Sequence, residues 1–188
     1  KSMNLSMLRA FLERPAVGRS GQRLFADAQI WDANGGRYRD EYACYPVISL
    51  DFSGAAWRGA AVAGVVRDAL SGECARLLPL LEAPDLPRDK MRHIERVARG
   101  VASEDEIASV LGVLIELLEM ACDEQVVLLV DGCDAAWLPS ASARDASGAG
   151  PAELLDRVLF DAIATAGHSL RLTCLMGERP GPAEEALS

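Results

Sequence analysis

Three buried strands separated by helical sequence predict a three-layer α/β/α domain built on a parallel sheet. The strands are read from YPVISLDF (45–52), VVLLVD (126–131) and LRLTCLM (170–176). Each is a short apolar run, and Val126–Val130 is unbroken and rich in β-branched Val. Such a run suits a strand covered on both faces, as in parallel sheets. The first two runs end on acids, Asp51 and Asp131, and the third on Gly177. Right-handed crossovers put all three carboxyl ends on one edge of the sheet. The order expected is 46–51, 126–131, 170–176, all parallel, with the Asp131 strand in the middle.

The helical segments follow from apolar spacing. Met3, Leu5, Met7, Leu8, Phe11 and Leu12 repeat at i, i+3, i+4 over 2–13, and Pro15 and Gly18 close that helix. Residues 19–43 are mixed, with a turn at Asn34-Gly35-Gly36. A helix rich in Ala and Val covers 55–70, weakened by Gly59 and Gly64. Pro79, Pro84 and Pro87 mark a loop before a basic helix over 89–99. Ser103 and Glu106 form a capping box at the head of the clearest helix, 103–122. Its apolar face is Ile107, Val110, Leu111, Leu114, Leu117 and Leu118. Residues 135–151 read as an Ala/Ser/Gly loop, 153–166 as a helix and 180–188 as a frayed tail. One domain, 1–179, is expected, without an internal repeat or a second core.

Composition narrows the function. Half of the 188 residues are hydrophobic, so a sizeable core can form, but only 5% are aromatic. A net charge of −9 opposes a dominant nucleic-acid-binding surface, which needs basic side chains to displace counterions. Only Lys1 and Lys90 are lysines among 19 basic residues; Arg and Ala dominate, as in GC-rich bacterial coding sequence. Cys44, Cys74, Cys122, Cys133 and Cys174 lack metal or disulfide spacing. They are expected to be reduced, mostly buried thiols of a cytoplasmic protein. No apolar run is long enough to span a membrane, and no signal peptide is visible.

Chemistry is expected where the strands end, because open α/β sheets bind ligands at that edge. The plain alternative for Asp131 is a core strand ending on a solvated or loop-capping acid. Lys1-Ser2 opens the first helix, as the Lys-[Ser/Thr] pair closes a P-loop. There, backbone amides cradle phosphates, the Lys reaches the β and γ phosphates, and the hydroxyl binds Mg²⁺. The glycines of such a loop, and the strand leading into it, belong upstream of Lys1. An N-terminally truncated sheet without that strand is therefore expected, with the 170–176 strand left at an open edge.

KSMNLSMLRAFLE, Leu24-Phe25, YPVISLDF, VVLLVDGCD and LRLTCLMG, in this order, resemble the bacterial AAA-ATPase-like domain family. Its members commonly read GKT/S-x-x-LSML, YPVI-x-L-x-F and LIDEYD at the matching places. The resemblance implies a P-loop nucleotide-hydrolase fold with ATP and Mg²⁺ as cofactors. It assigns nucleotide binding to Lys1, Ser2 and Asp131, with Mg²⁺ on Ser2 and, through water, on Asp131. The family often joins this domain to a nuclease-like PD-(D/E)XK domain, a pattern absent from this sequence.

The departures bear on turnover. Gly132 stands where the family has Glu, and Cys133 where it has Tyr; glycine cannot polarise a water. Met176 stands where a polar γ-phosphate sensor is usual. Asp134 matches the last acid of the motif and is a candidate substitute base, and Asp51 ends its strand near the same edge, where it could assist. The expectation is an ATP-binding domain with hydrolysis weakened or lost. The alternative is a non-enzymatic interaction or regulatory module on the same fold, with self-association or a protein partner. His93 is expected to be solvated, His168 to cap a helix end or face water, and Asp51 to cap its loop.

Overall fold

A computed structural model describes residues 2–15, 25–53, 62–133 and 151–177. Its centre is a three-stranded parallel sheet of β1 (Val47–Asp51), β2 (Val126–Asp131) and β3 (Leu170–Met176), in that spatial order. Val47 to Asp51 lie opposite Val127 to Asp131, and Asp131 lies opposite Met176. The central β2 is buried from Val126 to Val130, as its unbroken apolar run requires. A register shift between Val126 and Val127 makes Arg171 an extra residue on β3.

Helices cover both faces. Val126, Leu128 and Val130 point to one side and Val127 and Leu129 to the other, by the two-residue period of a strand. The first side meets α3 (Val62–Leu77), α4 (Arg88–Ala98), α5 (Glu104–Cys122) and the helical stretch from Pro151 to Ala166. That stretch runs as α6 (Pro151–Asp156), a π-helical turn (Arg157–Asp161) and α7 (Ala162–Ala166). The second side meets α1 (Ser2–Leu12) through Leu5, Phe11 and Leu12. It also meets Phe25, Tyr42 and Tyr45, near a short helix α2 (Gln29–Asp32) and a 3₁₀ stretch (Ala33–Glu41). The expected three layers and the expected strand order are both present. The Asn34-Gly35-Gly36 turn is there too, with positive φ at all three residues.

α5 begins as the sequence indicates. The Glu106 amide donates to Ser103 Oγ, and the Ser103 amide donates to Glu106. Three expectations need correction. The helix expected to end at Leu70 continues to Leu77, because Leu70, Cys74 and Leu77 are all buried against the sheet. Its residues before Val62 lie outside the described ones, as do residues 134–150, where most of the expected 135–151 loop falls, and 178–188, where the expected 180–188 tail falls. His93 is half-buried, not solvated: its Nε2 sits 2.7 Å from the Glu106 carbonyl oxygen. The cysteines are thiols outside any disulfide, but only Cys74 is buried; the other four are half-buried.

β3 is the outer strand on its side, and its residues are half-buried or exposed, with Leu172 38% exposed. An open 170–176 edge is therefore what the described residues present.

Candidate functional site

The direction of α1 decides what stands at the carboxyl edge of the sheet. The Tyr45 amide donates to the Leu12 carbonyl at 3.0 Å, and the Arg14 amide donates to the Tyr45 carbonyl at 2.8 Å. The end of α1 is thus fastened to the start of β1. From there the helix lies back across Val47, Val127 and Leu129. Eleven residues at about 1.5 Å each match the length of five or six strand residues at about 3.3 Å. Ser2, the first residue of α1, therefore lies toward the ends of β1 and β2, not their beginnings. It is exposed. Its backbone carbonyl accepts from Ser6 Oγ. Lys1 lies outside the described residues, as does Asp134.

Asp131 is half-buried at the end of β2. By the alternation of β2 its side chain belongs to the face that carries Val127, Leu129 and α1. Among the described residues its carboxylate takes no hydrogen bond and no ion pair. Asp51, its register partner on β1, is differently engaged. Its Oδ1 accepts from the Ser53 amide at 2.8 Å and from Ser53 Oγ at 2.6 Å. Asp51 caps its own loop, the role the sequence indicates for it.

Gly132 follows Asp131 with φ +67°, in the left-handed region. A Cβ built on it would stand 2.5 Å from Ser53 N, 2.8 Å from Ser53 Cα and 2.9 Å from Phe52 C. All three are backbone atoms, so the loop after β1 fills the space where a side chain at 132 would begin. The neighbouring backbone is pinned: the Phe52 amide donates to the Asp131 carbonyl at 2.9 Å, and the Cys133 amide to the Met176 carbonyl at 3.1 Å. Sequence reading sees a lost acid at 132. It misses the close approach that makes glycine necessary, for which the only local sign is an Asp-Gly pair after a strand.

The donor set suits a magnesium ion held in part by its ligand. Among the described residues no group of three or more His, Cys, Asp or Glu side chains could enclose a metal. Mg²⁺ in nucleotide sites needs no such cage; it takes one or two protein oxygens, phosphate oxygens and water. Ser2 and Asp131 offer oxygens of that hard kind.

One further concavity lies elsewhere, between α5 and the π-helical turn. It holds about 310 Å³ and is lined by Gly112, Glu116, Arg157 and Asp161 among others. It opens on the outer side of the helices that cover the first face of the sheet, remote from α1.

Compared with known families, residues 1–180 match the AAA-ATPase-like family, described as predicted AAA-ATPase. No curated protein and no solved structure matches the chain.

Proposed function

The chain belongs to the AAA-ATPase-like family, and on that premise we propose that it holds a magnesium–ATP complex at the carboxyl edge of its sheet while hydrolysing it weakly or not at all. The observation that carries the reading is the pairing of an Asp131 carboxylate without a partner among the described residues with a blocked position 132. In this reading Ser2 Oγ and, through water, Asp131 hold the metal. Lys1 and the amides at the start of α1 hold the phosphates. Bound Mg²⁺ neutralises charge on the phosphates. Asp131, on the face of the sheet shared with α1, would supply a carboxylate toward such a metal. Gly132 offers no group to orient an attacking water, and Asp134 is the remaining acid for that task.

A second reading keeps the fold and drops the chemistry: an interaction or regulatory module acting through a protein partner or a second copy. Gly132 favours it, because the loop occupying its Cβ space is fixed by backbone bonds. A bacterial, cytoplasmic setting belongs to both readings; the Arg- and Ala-rich, Lys-poor composition supports the bacterial source and five thiols outside any disulfide the cytoplasm. Among the described residues no helix is long and apolar enough to cross a membrane.

Titration of fluorescently labelled ATP with Mg²⁺ tests the proposal, on the chain extended by any residues that precede Lys1 in its gene. Lys1→Ala and Asp131→Ala should each weaken binding at least about tenfold, near 1.4 kcal/mol. No binding, or equal binding by parent and variants, overturns it. Phosphate release that depends on Lys1 excludes the second reading.

A further inference from the structure

The two edges of the sheet are treated differently. In parallel pairing, alternate residues of β1 face β2 and the rest face outward. Pro46 and Phe52 bond to β2, so Val47, Ser49 and Asp51 present their amides and carbonyls to the outer side. An outer strand of this kind is a template for another chain. Here two of its groups are already taken by side chains from α3. Glu73 Oε1 accepts from the Ser49 amide at 2.6 Å, and Arg76 Nη2 donates to the Val47 carbonyl at 2.6 Å.

The two side chains also fix each other. Arg76 donates to both Glu73 oxygens, at 2.6 and 2.8 Å, and reaches Glu13 just beyond α1. Burial works against the Arg76 charge; the hydrogen bonds and charges of Glu73 and Glu13 outweigh it and raise its pKa. The Glu73 side chain is only 7% exposed, and a buried carboxylate needs such partners. Glu73 lies three residues after Leu70 and four before Leu77, on the buried stripe that Val66, Leu70, Cys74 and Leu77 form, and Arg76 flanks that stripe. Packing α3 on the sheet calls for an apolar residue at 73, not an acid paired to a base.

We propose that Glu73 and Arg76 serve as a surrogate strand that closes the β1 edge, and that without them this edge pairs with β1 of a second copy of the chain. The spacing supports this: one acceptor meets an outward amide and one donor meets the outward carbonyl two residues earlier, as a neighbouring strand would supply. The second copy is the fitting occupant because Val47–Leu50 is uncharged and β-prone, with Ser49 its one polar residue. An antiparallel two-fold pairing brings that segment against itself.

The test uses the double variant Glu73→Ala/Arg76→Ala, with light scattering on a sizing column over a hundredfold range of concentration. Amide hydrogen exchange at Ser49 is measured alongside. The double variant should associate one step beyond the parent as concentration rises. Its Ser49 amide should exchange at least tenfold faster at the dilute end and regain protection at the concentrated end. Adding Ser49→Pro, which removes the outward amide, should abolish the association. An oligomeric state equal to the parent's throughout, or association that survives Ser49→Pro, overturns the proposal. If the double variant is unfolded by circular dichroism, Glu73→Ala alone decides, since Arg76 keeps Val47 and Glu13. Unchanged Ser49 exchange in that variant is the refuting result, and acceleration the supporting one.

Discussion

Replacing Gly132 by alanine measures how firmly the fold demands glycine at the end of the central strand. Two costs combine. An L residue in the left-handed region costs about 1–2 kcal/mol. The added Cβ also falls 2.5 Å from Ser53 N and under 3 Å from two more backbone atoms, with no flexible side chain to yield. Forcing extra volume into such a contact costs roughly 1–3 kcal/mol. The sum is roughly 2–5 kcal/mol. At about 2–4 °C per kcal/mol for a chain of this size, Tm should fall by roughly 4–20 °C.

Gly100 supplies the control. Its φ is +69°, nearly that of Gly132, yet a Cβ added there would meet nothing within 4 Å. Gly100→Ala should bear the conformational cost alone, lowering Tm by roughly 2–8 °C. The difference between the variants, read by circular dichroism in one buffer at pH 7, isolates the contact with Ser53. Equal shifts would refute the argument, as would a Gly132→Ala protein that melts with the parent.

Three further outcomes follow from the helix caps and the buried thiol. Ser103→Ala removes the acceptor for the Glu106 amide at the start of α5 and should cost about 1 kcal/mol, or some 2–4 °C in Tm. Glu106 is held down to a pKa of about 2, first by its hydrogen bond to Arg96 and then by the Ser103 amide. Its folded value lies below the ordinary 4.5, so its stabilisation is complete above pH about 4.5 and disappears as pH falls toward 2. Urea midpoints of the parent and Glu106→Gln should therefore differ at pH 7 and converge across that acid window. Burial pushes the Cys74 thiol up to about 12, with Glu73 adding to the rise. At pH 8, with a thiol reagent and peptide mapping, Cys74 should react only as fast as the chain unfolds, whereas half-buried Cys174 reacts in the native state.

The strands and α5 were legible in the sequence because their signals are local. Val126–Val130 is too short and too uniformly apolar for an amphipathic helix, and Ser103 with Glu106 announces a helix start. The same logic reaches part of the site. Helix and strand alternation is enough to send Ser2 toward the edge where Asp131 ends its strand. The failures all involve partners distant in sequence. Ser71-Gly72 looks like a helix end, but Ser71 Oγ donates to the Val97 and Ala98 carbonyls of α4, and the buried residues around it carry the helix on. His93 meets a carbonyl thirteen residues away. Glu73 accepts from the Ser49 amide 24 residues away, and nothing near it in sequence reveals the β1 edge.

Gly132 is the most instructive of these, because it changes what the missing acid means. Along β2, Asp131 shares a face with α1, whereas the next side chain would start against the loop after β1. Groups proposed to hold a nucleotide and the group needed to attack it are thus governed by different parts of the fold. On the proposed reading, holding rests on α1 and the end of β2. Turnover, on the same reading, would need space that Phe52 and Ser53 occupy, with the Ser53 amide bound to Asp51 and the Phe52 amide to the Asp131 carbonyl. Gly132→Glu should therefore lower stability as Gly132→Ala does, without raising phosphate release. To admit an acid there, the Asp51–Ser53 turn must first move. A Gly132→Glu protein of parental Tm that hydrolyses ATP faster would show that the turn yields easily and that glycine at 132 is a replaceable residue.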